Sequence, residues 1–167
     1  MDVPSTTHAT LLARLAQSPG QAAWEEFYQR YGELIRSFAR RQNLQPADCD
    51  DVLQEVLLSL TRAMPGFSYD PRKGKFRSYL KTTALRAIFK RKLRGRGEVM
   101  LEHIEEATQA ASSDEVIEQH WEAEWRDYHV RLAMRTIQVE FNTTDRAAFE
   151  RYALRGTDAK AVVSAFM

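Results

Sequence analysis

The sequence predicts an all-α protein. Apolar residues recur at three- and four-residue spacing over long segments, as they do in helices that bury one face. Short runs of alternating β-branched residues, which indicate strands, are absent, and the seven glycines lie mostly where the helical segments join. The 167 residues, 44% of them hydrophobic and 28% charged, are enough for one ordinary core or two small ones.

Two helices are expected at the start of the chain. A short helix over 8–16 and a long helix over 21–43 are separated by the helix-breaking sequence Ser18-Pro19-Gly20. One face of the long helix is rich in aromatic residues and is predicted to be buried. This face comprises Trp24, Phe27, Tyr28, Tyr31, Leu34, Ile35 and Phe38.

A third helix begins at Pro46, a residue that suits a first helical turn. Three aspartates follow it, where the helix dipole favours acids. The helix ends near Pro65-Gly66, and residues 66–75 are predicted to form a loop because Pro and Gly interrupt them. The apolar stripe of this helix is Val52, Leu53, Val56, Leu57 and Leu60.

A fourth helix begins at Phe76. Its inner side is predicted to be Phe76, Leu80, Thr83, Ala84, Ala87 and Ile88. Past Ile88 the residues KRKLR are basic around most of the helix circumference and provide no broad apolar face to bury. We therefore expect this end to project from the body into solvent or onto a polyanion.

Residues 95–115 are predicted to be a linker that contains a short helix over 99–107. A helical block follows, in which Asn142-Thr143-Thr144-Asp145 supplies an N-cap for a helix over 145–154. The apolar positions of this block are Ile117, Trp121, Trp125, Tyr128, Leu132 and Val139. The final residues, AKAVVSAFM, begin another helix whose apolar stripe has no closing turn at Met167, which suggests a domain cut short.

Residues 72–96 hold eleven of the 24 lysines and arginines and none of the 23 acids. The rest of the chain therefore carries thirteen bases and 23 acids, a formal charge of −10. A charge run is often only a solvated face, but this run has a single sign and is interleaved with Phe76, Tyr79 and Phe89. Cations that follow phosphates and rings that stack on unpaired bases are typical of proteins that bind single-stranded nucleic acid.

Other function classes lack their signatures. The four histidines have no Glu three residues ahead, and the sequence has no zinc pattern, P-loop or Rossmann glycines. The lone Cys49 lies between two aspartates and is expected to be unreactive. We therefore predict a protein that is not an enzyme and has no cofactor or metal.

No stretch approaches the roughly 18 apolar residues of a membrane span, and no signal peptide is evident, so a cytoplasmic location is predicted.

Two motifs carry a more specific resemblance. Lys75-Phe76-Arg77-Ser78-Tyr79 resembles region 2.3 of bacterial sigma factors, and Asp48-x-x-Asp51-x-x-Gln54-Glu55-Val56 resembles region 2.2. The aromatic helix lies where region 2.1 is expected. The resemblance is strongest to the two-domain extracytoplasmic-function (ECF) group, clearly over 22–94 and more faintly over 123–167, which is similar to the start of region 4.

The resemblance implies a sigma factor that binds core RNA polymerase and recognises and opens promoter DNA at the minus-ten element. The implied fold is a compact region 2 domain over 1–94, a linker over 95–122 and an incomplete region 4 of helix-turn-helix type over 123–167. The residues implied to bind the coiled coil of the polymerase β′ clamp are Asp48, Asp51, Gln54 and Glu55. Acids and an amide on one face can pair with arginines of a partner helix, although capping of the helix start explains the aspartates equally well.

The basic helix is implied to bind the nontemplate strand of the minus-ten element. Tyr79 matches the aromatic residue that stacks on a flipped base, with a core tyrosine as the alternative, whereas Phe76 is expected in the core. The full implied set is Lys73, Lys75, Arg77, Tyr79, Lys81, Thr82, Arg86, Phe89, Lys90, Arg91 and Arg94.

The sequence also departs from the family pattern. Thr82 and Thr83 replace a tryptophan pair of housekeeping-type members, and Arg86 and Lys90 stand where many ECF members have Asn and Asp. These departures favour a narrow set of target promoters. Arg86 could read a guanine edge or hold a phosphate.

Two alternatives remain open. A stand-alone helical DNA- or RNA-binding regulator would use the same basic helix without polymerase. An interaction role is the other, because ECF members are commonly held inactive by an anti-sigma protein or by their own extensions. The acidic block around Trp121 and Trp125 could take part in such a contact, or could pack in the core of a region 4 helix.

Overall fold

A computed structural model of the chain describes residues 8–17, 20–68, 70, 72, 76–97 and 100–154. The elements in these residues are all helical, which confirms the predicted fold class. None of the helices described there is long and apolar enough to cross a membrane. The helices are α1 (His8–Gln17), α2 (Gln21–Arg41), α3 (Pro46–Ala63), α4 (Phe76–Gly95), α5 (Leu101–Ser112), α6 (Glu115–Glu140) and α7 (Thr143–Phe149), followed by a π-helical turn, Glu150–Leu154.

The helix limits follow from local sequence. α2 ends at Arg41 because Asn43, with φ of 64°, takes a left-handed conformation that stops a helix. Within the segment predicted to supply an N-cap, Asn142 is the cap, since its side chain accepts a hydrogen bond of 2.9 Å from the backbone N–H of Asp145. The helix begins at Thr143, two residues before the predicted start. The helix predicted after Gly156 and half of the loop predicted before Phe76 lie outside the described residues.

The chain divides into two compact units, with the boundary inside α6 between Tyr128 and His129. The first unit is built on the aromatic face of α2. The fully buried residues of this face are Phe27, Tyr31, Leu34, Ile35 and Phe38. Tyr28 was predicted on the same face, and this was wrong: the side chain is exposed, with the guanidinium of Arg36 over its ring.

α3 and α4 pack against each other beside α2. The six residues expected on the inner side of α4 are all buried, as predicted. Of the predicted apolar stripe of α3, Leu57 is only partly buried and the other four residues are buried. Tyr31 of α2 contacts Phe76, the first residue of α4, with ring centroids 5.3 Å apart. Cys49 of α3 is buried, and burial raises the pKa of its thiol, in agreement with an unreactive role.

After α4 the chain turns back on itself. Gly97 takes φ of 76°, a left-handed conformation that glycine adopts without strain. α5 then packs against α4 and buries Ile104, Thr108 and Ala111. Asp114 starts α6 by accepting hydrogen bonds from the backbone N–H groups of residues 116 and 117, at 2.9 and 3.1 Å. The stretch predicted as a linker therefore contains a helix packed against α4.

The first half of α6 packs against α2. Trp121 is buried and meets Phe38 with ring centroids 4.9 Å apart, while Tyr128 stacks on Tyr31 at 5.2 Å. A polar pair accompanies these rings, because Arg41 donates to the buried carboxylate of Glu124 at 2.5 Å. Core packing of Trp121 is confirmed, but the core that it joins is that of α2.

The second unit contains the rest of α6, α7 and the π-helical turn. α7 has no buried residue, and Phe149 and Tyr152 are exposed.

Replacing Trp121 by alanine tests the packing of α6 on α2. Trp121→Ala is expected to lower the free energy of unfolding by about 3–5 kcal/mol, because it empties a buried ring site. Urea denaturation followed by circular dichroism measures the change. Val116→Ala on the exposed surface of the same helix is the control, with an expected effect within about 0.5 kcal/mol. Equal losses in both variants would show that α6 does not pack on α2 through this ring.

Candidate nucleic-acid interface

α4 carries the predicted nucleic-acid-binding residues, and its cations fall into three groups according to their partners. One group faces acids of α5 and α6, one faces acids of α3, and one lies near the C-terminal end of the helix. Lys73 and Lys75, which were also predicted to bind DNA, lie outside the described residues.

The first turns of α4 face α6. Arg77 and Lys81 both pair with Glu118, and Arg77 also pairs with Glu122. The guanidinium carbon of Arg77 lies 5.6 Å from the centroid of a Trp125 ring. Arg77 and Lys81 are mostly covered, with side chains 26% and 14% exposed, so this part of the predicted DNA surface is occupied by the protein's own residues.

Arg86, near the middle of α4, pairs with α5. Its Nε lies 2.8 Å from Oε1 of Glu105, and its Nη2 donates to Oε2 at 3.1 Å. The guanidinium and the carboxylate thus meet in the two-point geometry that arginine favours. Both side chains are half exposed, so water competes for this pair.

Lys90 and Arg91 pair with α3. The Nζ of Lys90 lies 2.5 Å from Oε1 of Glu55, and the Nη2 of Arg91 lies 2.6 Å from Oδ1 of Asp48. Arg91 also approaches Asp51, at 3.5 Å. The expectation that this end of α4 projects away from the body is wrong for these two residues, because the acids predicted to bind polymerase hold them.

The C-terminal end of α4 keeps its charge. Within the part of the chain that the structure describes, Lys92, Arg94 and Arg96 form no ion pair with a carboxylate. Arg94 and Arg96 are exposed, and the Nζ of Lys92 lies 5.8 Å from the centroid of the Phe89 ring. Burial lowers the pKa of the Lys92 amine, and the nearby charge of Arg96 lowers it further.

The rings beside the cations differ in exposure. Tyr79 is half-buried and packs on Phe67, with ring centroids 5.7 Å apart. Burial raises the pKa of its hydroxyl, so the side chain is neutral. Thr82 is partly exposed, and its hydroxyl donates to the backbone carbonyl of Ser78 at 3.1 Å. Phe76 is buried in the core, as expected.

A groove of about 300 Å³ runs between α3 and α4. Gln54 and Leu58 of α3 are exposed along it, and Leu58 retains 51% of its surface. Glu55, Lys90 and Arg94 also line it. The groove thus brings one exposed apolar residue, acids from α3 and cations from α4 to a single surface.

Sequence reasoning missed the acids that face α4. Glu118 and Glu122 were noted only as part of the acidic block around Trp121 and Trp125, and Glu105 was not singled out, whereas the structure pairs each of the three with a cation of α4. Glu118 and Glu122, four residues apart, share a face of one helix, which the sequence does show. Which helix packs opposite that face is determined by the tertiary structure, and no local sequence pattern indicates it.

A comparison with protein families matches residues 27–98 to the family described as Sigma-70 region 2. The matched segment begins within α2, contains α3 and α4, and covers less than half of the chain. No curated protein and no solved structure matches the chain. The matched segment contains the basic helix α4 and the acidic stripe of α3, so the likeness to Sigma-70 region 2 covers both predicted binding surfaces.

Proposed function

We propose that the chain is a sigma factor of the ECF group. It binds core RNA polymerase through α3 and the nontemplate strand of the minus-ten element through α4, and so directs promoter recognition and opening. The observation that carries the proposal is the Sigma-70 region 2 match, which contains both helices. The opposite charges of the two helix surfaces support it.

The polymerase-binding face is a stripe along α3. Asp51, Gln54, Glu55 and Leu58 recur at three- and four-residue spacing, and Asp48 extends the stripe by one turn. Acids and an amide beside an exposed leucine suit a partner helix that carries arginines, because a guanidinium binds a carboxylate through charge-assisted hydrogen bonds. The coiled coil of the β′ clamp is the proposed partner helix.

The DNA-binding face begins at the C-terminal end of α4. Lys92, Arg94 and Arg96 are proposed to make the first phosphate contacts, because no described acid neutralises them. Each phosphate contact on a single strand contributes about −0.7 to the slope of log affinity against log salt. With about three such contacts, the free chain binds DNA weakly at physiological salt.

Lys90 and Arg91 connect the two faces. Their partners, Glu55 and Asp48, are carboxylates that the arginines of the clamp are proposed to bind. Once those arginines occupy the carboxylates, Lys90 and Arg91 become available to phosphates. Polymerase binding therefore raises the affinity of α4 for DNA, and DNA raises the affinity for polymerase by the same factor.

The remaining assignments rest on the sequence resemblance. We propose a region 2 domain over 1–94, a linker over 95–122 and a region 4 segment of helix-turn-helix type over 123–167. We also propose that the protein is cytoplasmic, is not an enzyme and is a target for an anti-sigma protein.

Substitution of two α3 residues tests the polymerase contact. Gln54→Ala combined with Glu55→Ala is expected to abolish co-elution of the chain with core RNA polymerase, because it removes the amide and a carboxylate from the proposed stripe. Binding of the free chain to a single-stranded oligonucleotide is expected to persist, since Lys90 loses only its intramolecular partner.

The matched control is Glu25→Ala with Gln29→Ala, an exposed acid and amide on α2 whose side chains hydrogen-bond to each other at 2.9 Å. This control is expected to co-elute like the parent chain. A complex that survives the α3 substitutions would remove the clamp assignment. A parent chain that binds DNA but never polymerase would favour the stand-alone regulator.

Tyr79 tests the opening of DNA. Tyr79→Ala is expected to leave polymerase binding intact and to reduce open-complex formation about 10-fold or more, because one base stack contributes roughly 1–3 kcal/mol. Permanganate footprinting of unpaired thymines measures opening. Tyr79→Phe keeps the ring and is expected to open DNA like the parent chain. Full opening by the alanine variant would show that Tyr79 only packs on Phe67.

A further inference from the structure

We propose that acids of α5 and α6 act as an intramolecular cover over α4 and compete with the nucleic-acid strand for its cations. The cover consists of Glu105, Glu118 and Glu122, and the cations that it holds are Arg77, Lys81 and Arg86. This inference rests on the proposed function, because it concerns access to the same DNA-binding face.

The pairing is specific in geometry. Glu118 lies between two cations of α4, since it pairs with Arg77 and with Lys81. Arg77 has three partners, because Glu122 and the ring of Trp125 also hold it. Glu105 meets Arg86 at two points from the other helix. Each of the three carboxylates therefore occupies a cation that a phosphate would otherwise bind.

Apolar packing keeps the cover in place. Trp121, between the two acids of α6 in sequence, is buried against Phe38 of α2. One turn later, Glu124 binds Arg41 of α2. The face of α6 that carries these two residues is thus fixed on α2, while Glu118 and Glu122 are directed to α4. α5 is held likewise, through Ile104 and Thr108 buried on its inner side.

The acids themselves remain accessible to water. The side chains of Glu105, Glu118 and Glu122 are 50%, 43% and 47% exposed. Ion pairs at such positions are weak and are screened by salt. A strand that supplies several phosphates at once can therefore replace the carboxylates one by one without unfolding α5 or α6. The cover therefore lowers the affinity of α4 for DNA but does not prevent binding.

The experiment compares two triple variants of the full chain that have the same charge. Glu105→Gln, Glu118→Gln and Glu122→Gln remove the cover. Glu102→Gln, Glu106→Gln and Glu115→Gln are the control: they are exposed on the same helices and form no ion pair with any other described residue. Binding of a fluorescent single-stranded oligonucleotide is measured by anisotropy across a salt series. Circular dichroism verifies that each variant has folded.

Removal of the cover is expected to steepen the salt slope by about 2, because three further phosphate contacts each add about −0.7. Affinity at low salt is expected to rise about 10-fold or more for the same reason. The control triple variant is expected to show a smaller rise in affinity, because it changes only the net charge of the chain. Its slope of log affinity against log salt is expected to stay that of the parent chain. Equal slopes in the two triple variants would overturn the proposal.

If the triple cover variant does not fold, Glu105→Gln alone is expected to steepen the slope by about 0.7, and no change would overturn the proposal.

Co-elution with core RNA polymerase separates this inference from the proposed function. A chain that binds polymerase, with no difference in slope between the variants, would refute the cover and leave the sigma-factor proposal standing. A steeper slope in a chain that never binds polymerase would refute the sigma-factor proposal and leave a covered nucleic-acid-binding helix.

Discussion

The burial of the aromatic face of α2 is the constraint on which the rest of the first unit depends. Tyr31 is fully buried and lies between two other helices, with the ring of Phe76 from α4 at 5.3 Å and that of Tyr128 from α6 at 5.2 Å. Burial of rings is the large favourable contribution here, whereas an exposed ion pair contributes about 0–1 kcal/mol. The charges of α4 and α6 therefore meet because apolar packing places their helices side by side.

This packing also decides how the positive charge of α4 is distributed. One face of the helix is buried, and the cations before its last turn meet the helices that lie on their sides. Arg86 meets α5, Lys81 meets α6 and Arg91 meets α3, and all three helices present acids there. The last turn keeps its charge, because no described acid pairs with Arg94. The segment is uniformly basic in sequence, but in the part of it that the structure describes only the C-terminal end of α4 retains unpaired cations, because acids of neighbouring helices neutralise the cations before it.

The sequence predicted what is encoded locally. The inner side of α4 was correct because helical periodicity determines which residues share a face, and the region 2 motifs were found because their residues are close in the chain. The partners of α4 could not be predicted, since Glu118 follows Lys81 by 37 residues and no local pattern states which helices meet. Helical periodicity alone was not sufficient for Tyr28. Its three- and four-residue spacing assigned it to the buried face of α2, but it lies at the edge of that face and is exposed.

Partly exposed ion pairs suit a surface that must change partners. A buried carboxylate such as Glu124 would remain unpaired if its partner left, and that loss of a partner is costly. Glu55 and Glu118 lie where water can replace a departing cation, so exchange with an arginine or a phosphate requires little free energy. In the proposed function, the acids of α3 release Lys90 and Arg91 to DNA when polymerase binds, whereas the acids of α5 and α6 are displaced by the strand itself. The order of binding then follows from charge. A partner that occupies the acids of α3 frees Lys90 and Arg91, which join the DNA-binding face. With these additional cations, α4 attracts the strand more strongly, and the strand displaces the acids of α5 and α6 more readily.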